Sequence, residues 1–257
     1  MSKYNKLAGK HVLVIGGSKG IGRGVVEASL EAGAIVTLVG SSQKSADAAV
    51  TDIKTTYASA NLVGLGCDLS QDTVEDDLES LFQKAGGTQP IDHVVLTAAD
   101  SLTLPPLDNI STATIRHVGH MRLVVPVLVG KTAGRHLRSK PDASLTLTTG
   151  SIADKGVAGW SLMAFMAAGL TGLARNLALD LQPVRVNAVE PGLVDTPLWD
   201  TTMTAEQKDT FLREAGARAP VGRAGRVEDV AEAYLYAMKD GNCTGEIIKT
   251  RSGAHLV

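Results

Sequence analysis

His11-Val-Leu-Val-Ile-Gly-Gly-Ser-Lys-Gly-Ile-Gly22 runs from an apolar, β-branched segment into a glycine-rich turn and then into residues at helical spacing. An apolar run of this kind predicts a parallel strand buried on both faces. Glycines directly after it let the backbone approach a ligand closely. The helix that follows opens with unpaired N–H groups and a partial positive charge, which suits a pyrophosphate. Strand, turn and helix in this order, at the first strand of the chain, predict a nucleotide site at residues 16–22. The alternation repeats outward from that point. Further strands are expected at Ala34–Val39, Asn61–Cys67, His93–Thr97, Ser144–Thr148, Val184–Val189 and Glu246–Lys249. Helices are expected from about 21 to 32, 45 to 59, 73 to 85, 111 to 138, 160 to 181 and 227 to 238. Regular alternation of strands and crossover helices implies an α/β fold, a Rossmann-type doubly wound parallel sheet, formed as one domain over residues 1–257. The Pro- and Gly-bearing segment 191–225 reads as a mobile insertion beyond the sixth strand, where open α/β sheets bind ligands, and is a candidate lid.

Composition narrows the ligand. The 257 residues carry 25 basic and 27 acidic side chains, a net charge of -2, so neither a nucleic-acid footprint nor a basic membrane-binding face is expected. A small molecule is the expected partner. Cys67 and Cys243 lie far apart without metal-ligand spacing, so no metal and no disulfide are expected. The polar start Met1-Ser-Lys-Tyr-Asn and the lack of an apolar run of about 20 residues argue against a signal peptide and a membrane anchor. The expected location is cytoplasmic.

The spacing of Gly16, Gly20 and Gly22 resembles the glycine motif of the short-chain dehydrogenase/reductase (SDR) family, and further motifs agree. They are Asp68-Leu69 after strand three, Ser151 after strand five, Arg175-Asn-Leu-Ala-Leu-Asp-Leu181, and Arg185-Val-Asn-Ala-Val-Glu-Pro-Gly-Leu-Val-Asp-Thr-Pro197. The resemblance implies a dinucleotide held by Gly16, Ser18, Lys19, Gly20, Ile21 and Gly22, with Asp68 and Leu69 at the adenine. It also implies Pro191, Gly192, Val194 and Thr196 at the nicotinamide. NAD-preferring sites place an acidic residue near the end of strand two, and its charge would repel a 2'-phosphate. Gly40-Ser41-Ser42 stands there instead. With Lys19 and the hydroxyls of Ser18, Ser41 and Ser42 as donors, NADPH/NADP+ is the expected cofactor. In a second reading, Ser41 and Ser42 merely cap the next helix and Lys19 is solvated.

In the family a Ser, a Tyr and a Lys four residues later, helped by an Asn, deliver a proton as hydride reaches the carbonyl carbon. Twelve residues before Arg175, the Tyr position is Met163 and the Lys position Ala167. A register through Pro126 puts Arg122 at the Asn, and only Ser151 remains. A lone hydroxyl is a poor general acid. Reduction of an iminium ion yields a neutral amine and needs no proton, so a cationic acceptor removes the need for the Tyr. Such a site favours a carboxylate and an apolar pocket. Asp154 is placed for the carboxylate, unless it is a turn residue or pairs with Lys155.

These features are similar to those of the fungal reductases of bicyclic indole alkaloid biosynthesis, of the malbrancheamide and paraherquamide type, which reduce an iminium and steer an intramolecular Diels–Alder reaction. That similarity implies Arg122 and Asp154 as the functional pair and Met163, Phe165 and Trp199 as pocket walls. Arg122 has a structural alternative, pairing with a carboxylate across the helices. The functional alternatives are a Pictet–Spengler-type cyclase, a ketone reductase using His117, His120 or water as acid, and a non-catalytic cofactor-binding scaffold. The family also implies a homodimer or homotetramer built on the long helices.

Overall fold

The computed structural model describes residues 3–87, 89–102 and 104–257. Seven strands, β1 His11–Ile15, β2 Ile35–Gly40, β3 Leu62–Gly66, β4 His93–Leu96, β5 Ser144–Thr148, β6 Arg185–Pro191 and β7 Ile247–Thr250, form one sheet in the order β3-β2-β1-β4-β5-β6-β7. All six pairings are parallel. The helices are α1 Gly20–Glu31, α2 Gln43–Thr56, α3 Val74–Gly86, α4 Thr112–Gly119, α5 Val125–His136, α6 Ser161–Asp180, α7 Ala205–Arg218 and α8 Val227–Lys239. Alternation along β1 splits the core in two. Leu13 and Ile15 face the cluster that includes Phe82, Val129 and Leu177 of α3, α5 and α6, while Val12 and Val14 face Val25, Ala49 and Tyr234 of α1, α2 and α8. Strand order reverses between β1 and β4, and the crevice beyond their carboxyl ends is where such a sheet receives a ligand.

Three departures from the sequence expectation bear on the site. The helix expected over 111–138 is broken into α4 and α5 by a wide π-helical stretch, His120–Val124, which carries Arg122. Such bulges re-aim side chains and recur at functional sites. The segment 191–225 carries regular structure that the sequence reading did not place there, a 3-10 turn at Pro197–Thr201 and the whole of α7. Finally, α6 is long and apolar enough to cross a membrane by composition, its mean hydropathy reaching 1.4. Its apolarity has another cause. Ala174, Leu177 and Ala178 pack on the sheet, Leu162, Met163 and Met166 form a small cluster with Val118, and Phe165 and Leu179 are left exposed.

Candidate active site

The phosphate cradle is built from backbone. Gly16 has φ +92°, and a Cβ there would overlap the backbone nitrogen of Ala98 beyond β4; a Cβ on Gly22 would overlap the carbonyl of Gly16 and the Thr97 hydroxyl. Only glycine permits the turn to lie this close to β4 and to the start of α1. Lys19, the residue preceding α1, makes no side-chain cap, and no acidic residue sits in the first turn. In α2 and α7, by contrast, a capping box occupies the first N–H groups. The N-terminus of α1, next to the glycine turn, thus keeps donors free for a phosphate. Ser18 and Ile21 flank it half-buried, Gly20 turns there with φ +56°, and Lys19 is exposed. These residues fit a dinucleotide.

At the end of β2, Ser41 and Ser42 are both exposed. Ser42 is also the cap of α2: its Oγ accepts from the Ser45 amide at 3.2 Å while the Ser45 hydroxyl accepts from the Ser42 amide at 3.1 Å. Capping leaves the Ser42 hydroxyl proton available to donate, so both roles are compatible. Ser42→Ala is expected to cost about 1 kcal/mol of stability, measured by chemical unfolding of the apoprotein. Asp68 is exposed and its carboxylate accepts from the Ser70 amide at 3.0 Å, the Ser70 hydroxyl at 2.7 Å and the Gln71 amide group at 2.8 Å. The Ser70 bonds in particular hold it below the usual carboxylate range. Leu69, expected at the adenine, buries its side chain in the core, and its carbonyl lies 2.8 Å from a nitrogen of His120.

Pro191 ends β6, and the Gly192 amide donates to the Thr250 carbonyl at 2.9 Å. Val194 and Thr196 are buried, and Val194 bridges to Gly225, which joins the two ends of segment 191–225. Lys208 of α7 pairs with Asp195 at 3.1 Å and Asp200 at 2.9 Å. Trp199 donates its indole N–H to the Val194 carbonyl at 2.9 Å, and its ring lies 5.2 Å from that of Phe211. Trp199 therefore pins α7 onto the turn after β6.

Ser151 follows β5 in a 3-10 turn and is half-buried. Met163 is buried in the cluster with Val118, Leu162 and Met166, and Leu102, Ile110, Leu123 and Trp160 pack against it. A tyrosine's place is taken by apolar packing. The Thr149 hydroxyl donates to the Ala167 carbonyl at 2.7 Å. Phe165, expected as a pocket wall, is 64% exposed. Two helix residues turn the chain by about 200°, so Phe165 points away from Met163. Arg122 is mostly buried, donates through Nη2 to the Asp100 carbonyl at 3.1 Å and pairs with Asp100 Oδ1 at 2.8 Å. Burial works against its charge and Asp100 offsets this. Its Nε has no partner among the described residues.

Asp154 is paired, but not with Lys155, whose ammonium donates to the Ala254 carbonyl at 3.0 Å. Lys249 and Arg251 both bind Asp154, and both use its Oδ2. The carboxylate is 40% exposed, and no hydrogen bond within the described residues occupies Oδ1. The hydrogen bond from Lys249, joined by Arg251, holds it below the usual carboxylate range. Arg251 is further paired with Glu190 at 2.8 Å. Sequence reasoning missed Asp100, Glu190, Lys249 and Arg251 as site residues. The signals in the sequence were Glu190, a charge directly before Pro191-Gly192, and Asp100, at the end of Thr97-Ala-Ala-Asp100 after strand four. No group of three or more His, Cys, Asp or Glu among the described residues could hold a metal.

Comparison with known proteins agrees with this construction. The family described as SDR-like Rossmann domain matches residues 3–257. The short-chain dehydrogenase/reductase fsr5 of Gibberella fujikuroi is 39% identical over 261 residues, covering 100% of this chain and 98% of that protein. The short-chain dehydrogenase/reductase malC of Malbranchea aurantiaca is 39% identical, covering 97% and 96%. The solved structure of the MalC reductase/Diels-Alderase from the same fungus superposes with a TM-score of 0.92 at 38% identity, with both chains covered in full. A small-chain dehydrogenase solved with NADPH gives 0.79 at 25% identity, over 97% and 100%. A glycine cradle after β1, a serine after β5 and a Pro-Gly turn after β6, on a scaffold shared end to end with these relatives, place the chain in the short-chain dehydrogenase/reductase family.

Proposed function

We propose that this chain binds NADPH and reduces a cationic acceptor, an iminium ion on an indole-bearing substrate, without a protein proton donor. The observation that carries this reading is the pairing of an absent acid with an available carboxylate. Met163 is packed into an apolar cluster where the Tyr would act, while Asp154, three residues past Ser151, keeps Oδ1 without a partner among the described residues. NADPH supplies the hydride. Asp154 stabilises the acceptor's positive charge, Arg122 orients a polar group from the π-helical stretch, and Ser151 adds one hydrogen bond. The NADPH preference rests on Ser18, Lys19, Ser41 and Ser42 and on the lack of a carboxylate after β2. Steering of a following cyclisation is the finer part of the proposal, suggested by the MalC relative's description as a reductase/Diels-Alderase. The histidine alternative has less support: a nitrogen of His120 is engaged with the Leu69 carbonyl, and His117 lies exposed on α4. Self-association into a dimer or tetramer belongs to the same proposal. Exposed Val124, Val127, Phe165 and Leu179 along α5 and α6 give it an apolar face.

The test is NADPH oxidation by the purified protein with preformed cyclic iminium ions against simple ketones, products identified by mass. Turnover restricted to the iminium ions is expected. Ketone turnover at a comparable rate would show that another acid serves the site.

A further inference from the structure

Three consecutive strand ends meet at one guanidinium. Arg251 follows β7, its side chain is 7% exposed, and its Nη1 donates to Asp154 Oδ2 at 3.0 Å and to Glu190 Oε1 at 2.8 Å. Asp154 lies on the loop after β5, and Glu190 lies in β6 with no exposure at all. Strand alternation puts Glu190 on the side of the sheet occupied by Val186 and Ala188, which pack with Ala174 and Leu177 of α6. It is the last side chain on that side before the Pro191-Gly192 turn. That turn is built against Arg251 itself, since a Cβ on Gly192 would come within 2.9 Å of the Arg251 Cα.

Stability alone does not account for this arrangement. Burial raises the Glu190 carboxyl above its ordinary range, and the nearby Asp154 charge adds to the effect, with Arg251 and Lys249 opposing both. Glu190 Oε2 and Arg251 Nε have no partner among the described residues. An incompletely satisfied buried ion pair adds little net stability, and well-packed apolar residues often serve a fold better. What the pair does provide is geometry. By occupying Oδ2, the cations fix the rotation of Asp154 and leave Oδ1 without a partner among the described residues. We propose that Arg251, seated on Glu190, is a positioning residue of the active site: it orients Asp154 toward the hydride acceptor and ties the Ser151 turn to the Pro191-Gly192 turn. This rests on the role given to Asp154 above.

The test uses the full chain with NADPH and the variants Arg251→Met, Arg251→Lys and Glu190→Gln. Two readouts are taken: amide hydrogen exchange over residues 151–156 with NADPH bound, and kcat and KM with whichever acceptor the wild type reduces. Arg251→Met is expected to speed exchange in that loop about tenfold and to lower kcat by about ten- to a hundredfold, as misplacement of a reacting group does. NADPH affinity should stay within about threefold, since the α1 cradle is untouched. Arg251→Lys should recover most of the loss, and Glu190→Gln should fall between. In an Asp154→Ala background, Arg251→Met should cost nothing further. Unchanged exchange and kcat would overturn the proposal. So would a loss that Lys does not rescue and that NADPH binding shares equally. Should the wild type reduce ketones instead of iminium ions, the acceptor class falls, while exchange and the rescue pattern still decide the role of Arg251. If Arg251→Met does not fold, Arg251→Lys and Glu190→Gln carry the same comparison.

Discussion

Asp154→Ala is expected to lower kcat/KM for a preformed iminium acceptor by about a hundredfold or more, with NADPH affinity changed by no more than about threefold. The expected effect rests on charge: one carboxylate oxygen is held by Lys249 and Arg251, and the other has no partner among the described residues, which leaves it for the cationic acceptor of the proposed function. Asp154→Asn preserves the shape and removes the charge, so it should lose nearly as much. Loss in the alanine variant alone would assign a packing role instead. The pH dependence has a definite sign. Because its neighbours depress the Asp154 pKa, the group stays ionised as acidity rises through the ordinary Asp value of about 3.9. Its contribution to the rate should therefore persist across the neutral and mildly acidic range. Steady-state kinetics of both variants, with cofactor binding followed by fluorescence, decide the matter.

Gly16→Ala is expected to abolish NADPH binding and to destabilise the fold by roughly 2–4 kcal/mol. Two penalties add at this position. An L-residue is strained at φ +92°, and the new Cβ would meet the Ala98 backbone, which has no flexible end to yield. Separating the ends of β1 and β4 would also displace the first N–H groups of α1 from the phosphates. Gly86→Ala is the matched control, because a Cβ there meets nothing within 4 Å. Thermal unfolding and NADPH titration of the two variants give the comparison; a Gly16 variant that binds like the wild type would remove the cradle from the account.

The inner strands β1 and β4 were legible because they are buried along their whole length and appear in the chain as β-branched apolar runs, while the edge strands β3 and β7, partly exposed, were placed by the alternation of strand and helix. Segment 191–225 hid α7 for the opposite reason, since a helix lying outside the core shows polar residues with little apolar period. Thr204-Ala-Glu-Gln207 was its available signal, a capping box that the structure forms. The break between α4 and α5 was not legible, because apolar spacing continues through His120–Val124 while the hydrogen-bond pattern widens. In the site, the backbone half could be read directly, as glycine turns and Pro-Gly at strand ends have local causes. The side-chain half could not. Asp154 was weighed against its neighbour Lys155, yet its partners come from Lys249 and Arg251, brought to it only by the pairing of β5, β6 and β7. Met163 and Phe165 show the same limit, for an apolar helix facing both core and surface does not reveal which of its residues is buried and which exposed.

The proposed hydride transfer without a proton from the protein is tested most directly by kcat for a preformed quaternary iminium ion, with NADPH, in H2O and in D2O from about pH 6 to about pH 8. A flat profile with no solvent isotope effect is expected, deuterium from labelled cofactor appearing at the former iminium carbon. A clear solvent isotope effect, with a rate that falls as a single group loses its proton, would contradict it and reveal an acid standing in for the missing tyrosine.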